Sequence, residues 1–134
     1  MRHNPNHFSL IVLALVAGLL IAGQIQAAEP IIIGVPTSLG FLEGKESHKV
    51  VQMAVSEINA KGGVTVGGQK RLLEVSSMDI RDAAPGVPVP EALLGIEKNI
   101  LEKKPVAIVV GPFRSEALVA GMDLIAKYKT PMIG

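Results

Sequence analysis

Beyond residue 30, apolar positions follow two patterns: short unbroken runs, and longer stretches in which they recur every three or four residues. Ile31-Ile32-Ile33-Gly34-Val35 and Val106-Ala107-Ile108-Val109-Val110 are the clearest runs. A run apolar at every position suits a parallel strand covered by helices on both faces. From about Glu46 the spacing turns helical. Val51, Ala54, Val55 and Ile58 share one side, and Lys49, Gln52, Ser56, Glu57 and Lys61 take the other. Gly62-Gly63 ends that helix. Val64-Thr65-Val66, the turn Gly67-Gly68 and Arg71-Leu72-Leu73-Glu74-Val75 fit a small hairpin leading into a second strand. A loop rich in Pro, Ala and Asp spans Asp79 to Pro90, and Pro90 suits the first turn of a second helix. Leu93, Leu94, Ile96, Ile100 and Leu101 are its expected buried side, Lys103 and Lys104 suit its negative dipole end, and Pro105 stops it. A third helix opens at Ser115, with Leu118, Gly121, Leu124, Ile125 and Tyr128 inward, and closes at Lys127 and Lys129. Met132-Ile133-Gly134 starts a fourth strand.

The expected fold is therefore α/β, a doubly wound parallel sheet in the order β-α-β-α-β-α-β. Right-handed crossovers place the strands 2-1-3-4, with the fourth at an edge. That edge is apolar, and a bare apolar edge invites pairing. Residues 29–134 are accordingly expected to be the opening part of a lobe that a longer chain would complete.

The first 28 residues behave differently. Arg2 precedes a nearly unbroken apolar stretch from Phe8 to Gly23, followed by Gln24, Gln26 and the small pair Ala27-Ala28. A basic start, an apolar core and a small-residue exit form the pattern of a secretory signal peptide, cleaved here after Ala27 or Ala28. The stretch is shorter than the roughly 20 apolar residues of a spanning helix, and Gly18 and Gly23 loosen it. An uncleaved anchor is the alternative. Either way the remainder faces the outside of a membrane, the periplasm being the expected compartment.

Charge and composition narrow the function. The chain has 13 basic and 12 acidic side chains, and Arg2 is the one charged residue within 1–28, so the rest is balanced. A neutral surface with three Phe, one Tyr and no Trp argues against a nucleic-acid partner. No cysteine is present, which removes disulfides, thiolate chemistry and a lipidation site. His48 is the one histidine beyond residue 28, too few for a histidine metal site or a Ser-His-Asp triad. No cofactor or metal is expected.

Ligands of an open parallel sheet bind beyond the carboxyl ends of the strands, where the strand order reverses. Here that lies between the first and third strands. It selects the loop Thr37-Ser38-Leu39-Gly40-Phe41-Leu42-Glu43-Gly44 and the loop Gly111-Pro112-Phe113-Arg114-Ser115. The second feeds a helix N-terminus, whose free N–H groups and dipole attract an anion.

The stretch Ile58-Asn59-Ala60-Lys61-Gly62-Gly63-Val64 after an amphipathic helix, Val66-Gly67-Gly68-Gln69-Lys70, Asp79, and Gly111-Pro112 with Ser115 close behind together resemble one family. It is the type I periplasmic binding proteins, in the branched-chain amino-acid branch that serves ABC importers. The resemblance covers essentially all of residues 30–134. It implies a two-lobed binder of which this chain supplies the first part of the first lobe. It also implies a small-molecule ligand, an amino acid or similar carboxylate, and a membrane permease as partner of the whole protein.

Candidate ligand-binding residues are Ser38, Leu39, Phe41, Phe113, Arg114 and Ser115. By the resemblance Ser115 matches a serine that anchors the ligand carboxylate; as a residue at a helix start it also suits an N-cap. Arg114 departs from the family's small or polar residue. It suits either a bidentate contact to a second carboxylate or a loop tip in water. Glu116 stands where the family often has a hydroxyl, and would repel an incoming carboxylate. Glu43 stands where relatives often place a ligand-covering aromatic, with Phe41 as its replacement or as a packing residue. Two other functions compete with the importer component. A sensory module tethered by an uncleaved segment 1–28 is one. An exported enzyme on a Rossmann-like sheet is the other, although G-x-G-x-x-G, a P-loop and G-x-S-x-G are all missing.

Overall fold

The computed structural model describes residues 28–134, so the expected export segment lies outside the described residues apart from Ala28. Strand β1 (Ile31–Thr37) runs through the middle of a four-stranded sheet with β4 (Leu73–Asp79) on one side and β5 (Ala107–Val109) on the other. Strand β6 (Met132–Ile133) lies beyond β5, giving the order β4-β1-β5-β6 with every pairing parallel. This is the 2-1-3-4 order expected from right-handed crossovers. The longest register aligns Ile31 with Leu73 through to Thr37 with Asp79, so β1 and β4 end level.

Alternation along the strands assigns the two faces. Gly34 lies against Asn99 of helix α2 (Val89–Lys103), while Ile33 and Val109 face helix α1 (Leu42–Ala60). Helices α2 and α3 (Ser115–Tyr128) pack together on one face over the core of Ile80, Ala92, Ile96, Ile100 and Ile108. Ile96 and Ile108 are fully buried, and burial of each contributes roughly 2–3 kcal/mol. Across the α2–α3 seam, Tyr128 Oη donates to Glu97 Oε1 at 2.5 Å, and Lys127 Nζ donates to the same oxygen at 2.9 Å. The other face carries α1. Between it and the sheet lies an apolar groove of about 600 Å³, bordered by Ile33, Val50, Val51, Val55, Ile58 and Val109. The open groove leaves Val50 and Ala54 on its walls exposed, while Val51 is buried.

Helix α1 begins at Leu42, four residues before the apolar periodicity starts at Glu46. Its first turn lies on the backbone of the preceding loop: a Cβ on Gly44 would meet the Ser38 carbonyl oxygen at 2.1 Å. Only glycine allows that approach, and Phe41 caps the helix with no side-chain bond. After α1, Asn59 reaches into the sheet margin. Its Nδ2 donates to the Leu73 carbonyl and its Oδ1 accepts from the Leu73 N–H, both at 2.8 Å, so one amide stands in for a neighbouring strand. Strands β2 (Val64–Val66) and β3 (Gln69–Arg71) form the expected hairpin, separate from the main sheet. Gly67 and Gly68 both have positive φ, 57° and 80°, as a type I′ two-residue turn requires.

The buried side of α2 differs from expectation. Ala92, Ile96, Asn99 and Ile100 are buried, whereas Leu94 and Leu101 are mostly exposed. The inward stripe follows the small residue Ala92 and the amide Asn99, whose Nδ2 donates to Ser76 Oγ at 3.0 Å. This displaces the two leucines to the flank. Helices α2 and α3 end at Lys104 and Lys129, which take the left-handed cap conformation at φ 50° and 53°.

Candidate ligand-binding cleft

Beyond the carboxyl ends of β1, β5 and β6 lies an open cleft of about 420 Å³. Thr37, Glu43, Ser47, Val110, Phe113 and Ile133 are among its walls. It occupies the switch point that the strand order selects. The floor is formed at Val110, just past β5, whose φ of 61° is rare for a β-branched residue. Its N–H donates to the Ile133 carbonyl at 2.9 Å, and that bond helps hold the strained residue in place.

The loops around the cleft are joined by one buried carboxylate. Asp82 is fully buried. Ser38 Oγ donates to its Oδ1 at 2.6 Å, the Arg114 N–H donates to its Oδ2 at 2.7 Å, and the Ala83 N–H donates to Ser38 Oγ at 2.8 Å. Asp82 therefore ties together the loops that follow β1, β4 and β5. Asp79 adds a second link, accepting from the Leu39 N–H at 3.1 Å and the Arg81 N–H at 3.1 Å. The sequence marks Asp82 only as part of a Pro/Ala/Asp loop; its role becomes visible once strand order brings three loops to one end.

The expected site residues separate. Phe113 lines the cleft and is more than half exposed. Ser38 does not reach it: its hydroxyl is buried and occupied by Asp82 and the Ala83 N–H. Arg114 neither reaches the cleft nor points into water. Its Nη2 donates to the Val87 carbonyl at 2.9 Å, and its Nη1 lies 3.5 Å from Glu116. Leu39 and Phe41 are half-buried and are not among the residues lining the cleft. Ser115 is the first residue of α3 and not its cap; Arg114 holds the cap position without a side-chain bond. The Ser115 side chain is exposed, makes no hydrogen bond among the described residues, and is not among the residues lining the cleft. Thr37, the first residue of the selected loop, lines the cleft, whereas Ser47 and Val110 are cleft residues outside both selected loops, the first on α1 and the second at the end of the apolar run of β5. Among the described residues there is no cluster of three metal-ligating side chains, and no helix is long and apolar enough to cross a membrane.

No protein-family model matches the chain, and no curated protein matches it in sequence. Solved structures do. The branched-chain amino acid transporter substrate-binding protein LivJ from Streptococcus pneumoniae, solved with isoleucine, is similar at 28% identity and a TM-score of 0.62 over 77% of this chain. A protein described as a branched-chain amino acid ABC transporter from Silicibacter pomeroyi is similar at 25% identity and a TM-score of 0.55 over 73% of this chain. An ABC-type branched-chain amino acid transporter from Rhodopseudomonas palustris shares the fold at 17% identity and a TM-score of 0.52 over 78% of this chain. The chain spans 28%, 23% and 26% of their respective lengths. Its structural neighbours are thus branched-chain amino acid ABC transporter proteins, LivJ a substrate-binding one, and the chain has the α/β fold of the part of them that it covers.

Proposed function

We propose that this chain supplies the first-lobe wall of an extracytoplasmic solute-binding component of an ABC importer, and that its solute is an amino acid or related small carboxylate. One observation carries the reading. The loop Gly111-Pro112-Phe113 that lines the cleft runs directly into α3, whose first residue, Ser115, lies outside the lining but presents an exposed hydroxyl that serves no cap, beside the N–H groups of the first turn. A carboxylate placed there gains a hydroxyl donor, backbone donors and the helix dipole together. The likeness to a substrate-binding protein solved with isoleucine supports the same class of ligand.

Residues 1–28 act in this account as the export signal, and the permease of an importer is the partner of the whole binding protein. One wall leaves most of a small solute wet, so the chain by itself binds no tighter than roughly millimolar, about −4 kcal/mol. Calorimetric titration with L-amino acids and their α-amides tests the reading. Weak saturable binding of the acids and loss of binding in the amides is expected; equal behaviour of acids and amides contradicts it. N-terminal sequencing of exported material tests the signal, with Ala28 or Glu29 expected first.

A further inference from the structure

Among the side chains that line the cleft one is formally charged, and that charge is negative. Glu43 lines it alongside the hydroxyl residues Thr37 and Ser47 and the apolar Val110, Phe113 and Ile133. Glu43 is exposed and takes part in no ion pair or side-chain hydrogen bond among the described residues. The neighbouring charges are engaged elsewhere. Arg114 is held by the Val87 carbonyl and Glu116, and Glu46, one turn along α1, pairs with Lys49 at 2.7 Å. Lys45, two positions on, does not border the cleft. Glu43 lies in the first turn of α1, where the helix dipole offsets about half a unit of charge and leaves a net negative wall.

In the open cleft water solvates this carboxylate. A solute that fills the cleft removes that water, and the carboxylate then needs a cation or pays for its desolvation. An acidic solute adds repulsion, and a neutral one leaves the charge uncompensated. A cationic solute alone offsets both effects, and the exposed Phe113 on the same walls offers an aromatic face that also attracts cations.

We infer that Glu43 makes the cleft selective for a solute bearing a protonated amine or guanidinium in its side chain, so that the preferred class is the basic amino acids. The inference rests on the solute-binding reading and names which solutes that site takes.

The test compares L-lysine, L-norleucine and L-glutamate as probes against the full chain, read from the amide resonances of Gly44 and Gly111. Lysine and norleucine differ essentially by the terminal ammonium, so their ratio reads the negative charge of the cleft, and the change in that ratio on Glu43→Gln isolates the contribution of Glu43. Lysine is expected to bind about five- to tenfold tighter than norleucine, as a charge-assisted contact at a partly wet site allows. Glu43→Gln removes that preference, and Glu43→Lys turns it toward glutamate. Glu43 is exposed, so neither change is expected to alter the helical circular dichroism. Equal binding of lysine and norleucine, or a lysine preference that survives Glu43→Gln, overturns the inference and leaves the solute-binding reading standing. Silence of both resonances with all three probes overturns the solute-binding reading and the inference with it.

Discussion

Ser38 and Asp82, 44 positions apart, are joined by a 2.6 Å hydrogen bond from hydroxyl to carboxylate with both side chains buried. The other carboxylate oxygen takes the Arg114 N–H, and no ion pair to Asp82 is present among the described residues. The geometry of the cleft depends on this bond because its loops carry no regular structure of their own.

Asp82→Ala leaves the Ser38 hydroxyl and the Arg114 N–H buried without an acceptor. A cost of about 3 kcal/mol is expected, the sum of two lost bonds to a charged group less some relaxation. Asp82→Asn keeps the shape and one acceptor and costs about 1 kcal/mol. Urea midpoints at constant slope measure both. An Asp82→Ala midpoint close to that of the parent chain would show that the three loops are held by other contacts.

The two lysines at the end of α2 respond to glycine with opposite signs. Lys104 has φ 50°, a conformation that costs a side chain about 1 kcal/mol, so Lys104→Gly stabilises by roughly that amount. Lys103 is inside the helix, so Lys103→Gly destabilises by about 1 kcal/mol. Thermal unfolding of the pair decides it; a loss of stability in Lys104→Gly contradicts the left-handed cap.

The seam between α2 and α3 makes stability depend on pH. The hydrogen bond from Tyr128 holds the Glu97 carboxyl below its usual value near 4.5, and Lys127 pulls in the same direction. A depressed carboxyl contributes stability above its unfolded value and loses it as pH falls through the folded one. The stability difference between the parent chain and Glu97→Gln is therefore present at neutral pH and shrinks as the pH drops below about 4.5. Tyr128→Phe removes the larger cause and flattens the same limb. A difference that stays constant down to pH 2 would contradict the link.

Much of this fold was legible because parallel strands covered on both faces show as unbroken runs. Ile31-Ile32-Ile33 and Val106 to Val110 need no partner to be recognised. The strand order followed from chirality. Features set by tertiary contact were not legible. The polar start of α1 is helical because Gly44 packs on Ser38, and Leu94 and Leu101 yield the inward stripe to Ala92 and Asn99. At the cleft, strand order located the two loops, but side-chain direction lies beyond periodicity. Ser38 and Arg114 turned to Asp82 and Val87, while Ser115 was left with a free hydroxyl.

That hydroxyl offers the most direct test of the solute-binding account. Ser115→Ala is read in the full chain by following the Gly111 and Ser115 amide region while L-isoleucine or its α-amide is added. Since the side chain makes no cap, the substitution should leave the urea midpoint unchanged and weaken the free acid by about 0.5–1.5 kcal/mol, the net worth of one hydrogen bond at a wet site. The α-amide should bind poorly to both forms. If the acid binds the substituted chain as well as the parent, or if acid and amide bind alike, the α3 N-terminus is no carboxylate anchor and the account fails.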